Sequence, residues 1–187
     1  PPQSAVKLLI SDCATNVDLA DPRCLMAGDV SAAFLYCNIK RDVYIELPSR
    51  DPRAKTKKWV GKLVKAMYGT RDAPQVWYEE VRKLMVALGF TQSLINPCLY
   101  FHAERLIRVL VHVDDFRCTG VESNLEWLRE KMAETNTIKS KVLGRKLDPY
   151  GELTFLGRSI RWKRHGIEVE GGTKHVDALI RDWGMEN

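Results

Sequence analysis

No run of apolar residues is long enough to cross a bilayer and no leader pattern opens the chain, so no membrane role is expected. No Cys-x-x-Cys pair occurs either. The five cysteines, Cys13, Cys24, Cys37, Cys98 and Cys118, are scattered and odd in number, which argues against a disulfide frame or a zinc site and leaves them as small core residues of a reducing compartment. Internal repeats and low-complexity tracts are missing. Acidic residues are missing from one long stretch. Residues 53 to 71 carry seven basic side chains (Arg53, Lys55, Lys57, Lys58, Lys62, Lys65, Arg71) and not one Asp or Glu. A solvated loop has that composition, but the interleaved Trp59, Met67 and Tyr68 also suit contact with a phosphate backbone. What remains is the balance of a folded domain: 45% apolar and 28% charged residues over 187 positions suffice for a core in one domain or two small subdomains. The net charge of +5 and pI near 9.0 point to a polyanionic partner, nucleic acid among the candidates.

The chain is organised around Leu106-Ile107-Arg108-Val109-Leu110-Val111-His112-Val113-Asp114-Asp115, an apolar run ending on two adjacent carboxylates. Its length and β-branched content predict a buried strand, with a tight turn at the acidic pair leading into Phe116-Arg117-Cys118-Thr119 as a hairpin. Strand alternation puts Ile107, Val109, Val111 and Val113 on one face and His112 with Asp114 on the other. Asp-Asp can serve merely as turn chemistry. Two ionised carboxylates at the tip of a buried hairpin also repel each other, and a hard divalent ion with oxygen ligands relieves that repulsion.

Around this hairpin the pattern predicts a helix capped by Ser4 over residues 4 to 15, with Ala5, Val6, Leu8, Leu9 and Ala14 apolar, and then a loop over 16 to 23. A strand over 24 to 30 carries Leu25, Ala27 and Asp29 on one face, a small-residue helical turn covers 31 to 36, and an extended piece over 43 to 48 stops at Pro48. Residues 73 to 88 form the clearest amphipathic helix, with Val76, Trp77, Val81, Leu84, Met85 and Leu88 inward, Glu79, Glu80, Arg82 and Lys83 outward, and Gly89 at its end. A second helix over 122 to 135 shows Leu125, Leu128 and Met132; strands follow over 138 to 143, 153 to 162 and 167 to 170. A last helix over 173 to 183 is expected to turn Val176, Leu179, Ile180 and Trp183 inward. Strand, helix, hairpin, helix, strand is the order of a split βαβ unit, an α+β fold whose antiparallel sheet carries helices on one face. Strand 24 to 30 is then expected beside strand 106 to 113, bringing Asp29 to Asp114 and Asp115. Three carboxylates at strand ends suit two divalent ions about 3.5–4 Å apart, a clamp for in-line phosphoryl displacement.

Several blocks in order carry a resemblance: Gly28-Asp29-Val30-Ser31-Ala32-Ala33-Phe34-Leu35, then Val43-Tyr44-Ile45-Glu46-Leu47-Pro48, then Lys62-Leu63-Val64-Lys65-Ala66-Met67-Tyr68-Gly69-Thr70-Arg71-Asp72-Ala73-Pro74-Gln75-Val76-Trp77-Tyr78. Leu88-Gly89-Phe90, Val113-Asp114-Asp115 and Phe155-Leu156-Gly157 follow. Over residues 24 to 184 the chain resembles the reverse transcriptase of copia-type LTR retrotransposons. The resemblance implies the palm of a right-hand polymerase: partial fingers over 1–23, palm over 24–48, a basic fingers and template loop over 49–72, palm over 73–150, and primer grip with the start of a thumb over 151–187.

It implies that Asp29, Asp114 and Asp115 are catalytic and, with the Val30 carbonyl, hold two Mg²⁺ ions, for which Mn²⁺ can substitute. Phe34 would lie under the sugar of the incoming deoxynucleotide and exclude a 2′-hydroxyl; Arg71 and Asp72 fall in the nucleotide loop. Phe155, Leu156 and Gly157 would grip the primer end, and Lys57, Lys58, Lys62, Lys65 and His112 would touch nucleic acid, with further basic segments at 139 to 146 and 158 to 164. Implied partners are an RNA/DNA template-primer and deoxynucleoside triphosphates, with RNase H and integrase parts of the polyprotein outside this chain; the implied location is a cytoplasmic virus-like particle or the nucleus. The chain departs from the family pattern where His112 stands in place of Tyr and Asp72 in place of Gln, and it opens on Pro1 after the point where basic fingers residues are expected, as a fragment would. Two alternatives stay open: a degenerate remnant that binds nucleic acid without polymerising, and another palm-like enzyme such as a nucleotide cyclase.

Overall fold

A computed structural model describes residues 2–15, 20–56, 58–148, 150–155, 157–163, 165–171 and 174–185. Its centre is a six-stranded antiparallel sheet, made of β1 (Arg23–Val30), β4 (Thr91–Gln92), β5 (Leu99–His102), β6 (Ile107–His112), β7 (Asp115–Val121) and β8 (Ile138–Leu143) in the order β4-β5-β6-β7-β1-β8. Helices α1 (Gln3–Thr15), α2 (Ala73–Ala87) and α3 (Glu122–Ala133) pack on it. Two smaller sheets complete the strands: a hairpin of β2 (Tyr44–Glu46) with β3 (Val60–Lys62), and a three-stranded sheet of β9 (Glu152–Phe155), β10 (Arg158–Lys163) and β11 (Gly166–Glu170). Helix α4 (Lys174–Asp182) follows, and no described helix is long and apolar enough to cross a membrane.

The helices sit on both faces of the large sheet, not on one as expected. Cys24, Met26, Val109 and Cys118 turn toward α2 and α3, meeting Val76, Trp77, Val81, Met85, Leu125, Leu128 and Met132. The alternate residues Leu25, Leu110 and Leu143 turn the other way, toward Ala5, Leu9 and Cys13 of α1 and toward Leu153, Phe155, Ile160 and Trp162 of the three-stranded sheet. A strand with period-two side chains and apolar residues on both parities has to be covered twice, and here it is. In α1 the buried residues Ala5, Leu9 and Cys13 fall four apart, and Leu8, off that stripe, is 49% exposed.

Strand β1 lies between β7 and β8; β6, the strand expected beside it, is one place further out. The reason is burial: Phe116 through Gly120 of β7 are all buried, so this strand takes the centre. Local chemistry closes the helices. Pro74 opens α2, where a missing N–H costs nothing, and Gly89 ends it at φ 90°. Gly89 N–H donates to Val86 O at 3.0 Å and Phe90 N–H to Met85 O at 2.9 Å, with Phe90 buried beyond the turn.

Two further expectations change. Residues 153 to 162 form no single strand; they bend at Gly157 (φ 72°) into the β9–β10 hairpin. Val176 and Leu179 of α4, and Trp183 just after it, are exposed, not turned inward. Strands β3, β4 and β5 were not expected from the pattern.

Candidate active site

Antiparallel pairing places Asp29 of β1 directly opposite Asp115 of β7, and the Val30 N–H donates to the Asp114 carbonyl at 3.1 Å. The same transverse row continues to His112 on β6 and Lys139 on β8. Two residues deeper, in the next row on the same face, lie Leu110, Arg117, Ala27 and Lys141. The three carboxylates are therefore brought together, but with Asp115 as the strand partner of Asp29 and Asp114 in the turn. The expected alternation through residue 113 breaks because Val113 takes φ 57°, which reverses the chain and leaves its side chain 45% exposed.

Two residues not singled out from sequence for this task hold the turn in place. Trp77 of α2, expected only as core, donates its indole N–H to the Val113 carbonyl at 2.6 Å. Gly28 stands opposite Phe116, and a Cβ there would come within 2.7 Å of the ring. Only glycine leaves room over β1 for the far end of this ring, so the strands carrying Asp29 and Asp115 can pair without a side chain wedged between them.

The electrostatics follow from this crowding. Burial, then the neighbouring Asp114 and Asp115, push the Asp29 carboxyl above its usual range, while Lys139 and Arg117 pull it back. Tyr68, from the loop before α2, is pushed up by burial and by two carboxylates of this group, Asp114 and Asp29. Partial burial lowers His112, against the pull of Asp115 and Asp114, which favours the neutral imidazole.

The other anticipated residues are distributed unevenly. Phe34, in a 3₁₀ turn over Ala33–Tyr36, is buried with its ring centroid 4.4 Å from that of Tyr68, so Tyr68 shares whatever surface Phe34 offers. Asp72 precedes α2 with its carboxylate 2.9 Å from Arg41, which holds its pKa low. Arg71 beside it is exposed. Lys58, Lys62 and Lys65 are exposed together with Tyr44, Trp59, Val60 and Val64, but Lys62 is engaged with Asp42 at 2.7 Å and Lys65 reaches the Tyr36 carbonyl at 3.4 Å. Phe155 is buried under the Arg117 guanidinium, 4.3 Å from the ring centroid, and Gly157 is exposed at the hairpin turn. Lys57 and Leu156 lie outside the described residues. Of the basic segment at 158 to 164, Arg161 pairs with Glu152 and Glu170 and Lys163 with Glu168, so those charges are largely spent within the small sheet.

As donors, three carboxylates and a backbone carbonyl are hard oxygen ligands of the kind Mg²⁺ takes, and their mutual repulsion favours a cation. Among the described residues no three His, Cys, Asp or Glu side chains form a ready-made cage. A Mg²⁺ site of one or two carboxylates completed by water and substrate phosphates needs none.

Comparison with known proteins agrees with this architecture. Residues 3–187 match the family model described as reverse transcriptase (RNA-dependent DNA polymerase). The retrovirus-related Pol polyprotein from transposon RE1 of Arabidopsis thaliana is 34% identical over 99 residues, 52% of this chain and 7% of that protein. The corresponding polyprotein from transposon TNT 1-94 of Nicotiana tabacum is 32% identical over 100 residues, again 52% of this chain and 8% of that one. The putative transposon Ty5-1 protein of Saccharomyces cerevisiae is 28% identical over 140 residues, 74% of this chain and 43% of its own length. The chain thus spans less than a tenth of the plant polyproteins it matches. Apo telomerase from Candida tropicalis shares the fold, with a TM-score of 0.51 at 10% identity over 89% of this chain and 36% of that one. A family model that covers the chain almost end to end, with Pol polyprotein relatives from plant transposons, shows that it belongs to the reverse transcriptase (RNA-dependent DNA polymerase) family of copia-type transposons.

Proposed function

We propose that this chain is the palm of an RNA-directed DNA polymerase that adds deoxynucleotides to a primer 3′-hydroxyl in a metal-dependent nucleotidyl transfer. The observation that carries the reading is the cross-strand pairing of Asp29 with Asp115, with Asp114 at the adjoining turn. Asp29, Asp114 and Asp115, with the Val30 carbonyl, would hold the divalent ions. When bound, such ions supply Lewis acidity at the attacking hydroxyl and at the leaving pyrophosphate.

The chain's own residues do the rest. Trp77 and Gly28 keep the carboxylate-bearing turn in register. Phe34, backed by Tyr68, lies under the sugar and rejects a 2′-hydroxyl by bulk. Arg71, exposed before α2, offers charge to the triphosphate, and Arg41 neutralises Asp72 so that it does not repel the same group. The exposed aromatic and basic surface of β2, β3 and the loop to Tyr68 tracks the template backbone, and the β9–β10 turn at Gly157 meets the primer end. In this reading residues 24–48 and 73–150 are palm, 1–23 and 49–72 belong with the fingers, and 151–187 begin the thumb.

Template-directed primer extension in Mg²⁺ tests it, run beside Asp114→Asn. Extension by the wild-type chain and none by the variant is expected; extension that survives the substitution refutes the assigned roles. If neither extends while salt-sensitive duplex binding persists, the chain is a remnant that only binds nucleic acid. A cyclic product from triphosphate alone would instead mark a nucleotide cyclase.

A further inference from the structure

Resting on the metal-dependent reading above, Arg117 stands out as a cation fixed behind the carboxylates. It sits one row in from Asp29 and Asp115 on the same face, with its Nη1 3.9 Å from an Asp115 carboxylate oxygen. It cannot swing away. Nη1 donates to the carbonyls of Phe116 at 2.7 Å and Gly28 at 3.3 Å, Nη2 donates to the Thr154 carbonyl at 2.9 Å, and the guanidinium lies on the Phe155 ring. Its side chain is 8% exposed, and among the described residues its Nε has no hydrogen-bond partner. Arginine stays charged in such a place, so the positive charge is permanent.

Burying a guanidinium with an idle donor is costly, and a well-packed apolar side chain would brace the sheet as well. The benefit lies at the neighbouring carboxylates. Three negative charges face two positive ones, Arg117 and the Lys139 opposite Asp29, while Lys141 in the row of Arg117 is matched by Asp148 at 3.7 Å, which leaves one net negative charge before any ion arrives.

We propose that Arg117 is a built-in counter-ion that keeps divalent-cation affinity low until substrate phosphates supply the missing negative charge. Its hydrogen bond to Thr154 and stack on Phe155 also tie that charge to the β9–β10 hairpin, so the same residue positions the carboxylate row relative to the turn proposed to meet the primer. It is a positioning residue, acting on the ion through Asp115.

The test is Mn²⁺ binding to the whole chain, without nucleotide or nucleic acid, followed by the electron paramagnetic resonance of the free ion. Arg117→Gln keeps a donor, Arg117→Met keeps the length, and Arg117→Lys keeps the charge; folding of each is checked by circular dichroism. The neutral variants are expected to bind Mn²⁺ about tenfold tighter than wild type, equivalent to about 1.4 kcal/mol, while Arg117→Lys stays near the wild-type value. A folded neutral variant with unchanged or weaker affinity overturns the proposal. So does failure of both neutral variants to fold while Arg117→Lys folds, which would make the residue purely structural. Mn²⁺ binding that persists in Asp114→Asn, or that no variant shows, would instead defeat the metal-site reading itself.

Discussion

Gly28 offers the sharpest handle on how the fold sets the site. A methyl group there would stand 2.5 Å from one Cε atom of Phe116 and 2.7 Å from the other, with the ring itself only 2% exposed and hemmed in by α2-side core. Inserting a carbon into a packed core costs about 1–3 kcal/mol, and a ring with nowhere to go puts Gly28→Ala at the top of that range. For a chain of this size, about 3 kcal/mol lowers the melting temperature by roughly 6–12 °C. Phe116→Leu alone loses about 1–2 kcal/mol of burial and packing. It also removes the atoms that clash, so in its background Gly28→Ala is close to neutral, helped by the smaller backbone entropy of alanine in the unfolded chain. Urea unfolding of the two single variants and the double variant completes the cycle. The coupling is expected to approach about 3 kcal/mol. Additive losses, or a Gly28→Ala variant within about 0.5 kcal/mol of wild type, would refute the claim that the ring excludes a side chain at this position.

Trp77→Phe removes the indole donor that holds the Val113 carbonyl and is expected to cost about 1 kcal/mol in urea unfolding, with a larger fractional loss in primer extension than in duplex binding; an equal loss in both would deny the turn a special role. Asp72, held low by Arg41, stabilises the fold above the ordinary carboxylate range, and that contribution is lost as pH falls through its depressed folded value. Carboxyl-resolved NMR titration should show Asp72 below its usual pKa and Arg41→Ala returning it there; an unmoved titration contradicts the pairing. Phe34→Val is expected to raise ribonucleotide incorporation relative to deoxynucleotide incorporation, measured as a ratio of kcat/KM values, and an unchanged ratio removes Phe34 from sugar selection.

The amphipathic helices could be read from their periodicity because burial in α2 and α3 follows the apolar stripe, and the end of α2 was announced by Gly89. The hairpin could be read from the apolar run and its acidic stop. The short strands β3, β4 and β5 could not, because two to four residues carry too little periodicity and are held by pairing partners distant in sequence. Likewise the β9–β10 hairpin looked like one strand, since its only break is a single glycine, Gly157, with no proline, asparagine or second glycine beside it to mark a turn. At the site, residue types pointed to the three aspartates, but which of them pairs with Asp29 depended on the left-handed Val113. Trp77 and Arg117 escaped notice for a physical reason: an indole on an apolar stripe and an arginine in an alternating strand look like core and surface until their partners are placed. The inward stripe expected of α4 was read correctly as apolar but not as exposed, because a stripe says nothing of what covers it.

The claim on which the rest depends is that Asp29, Asp114 and Asp115 share a divalent cation. Mn²⁺ broadening of amide NMR signals addresses it directly. Signals of Gly28, Val30 and Phe116 should vanish at ion levels that leave Leu179 and the acidic strand around Glu168 and Glu170 intact. Broadening confined to that strand or spread over the acidic surface, with residues 28 to 30 and 114 to 116 untouched, would contradict it.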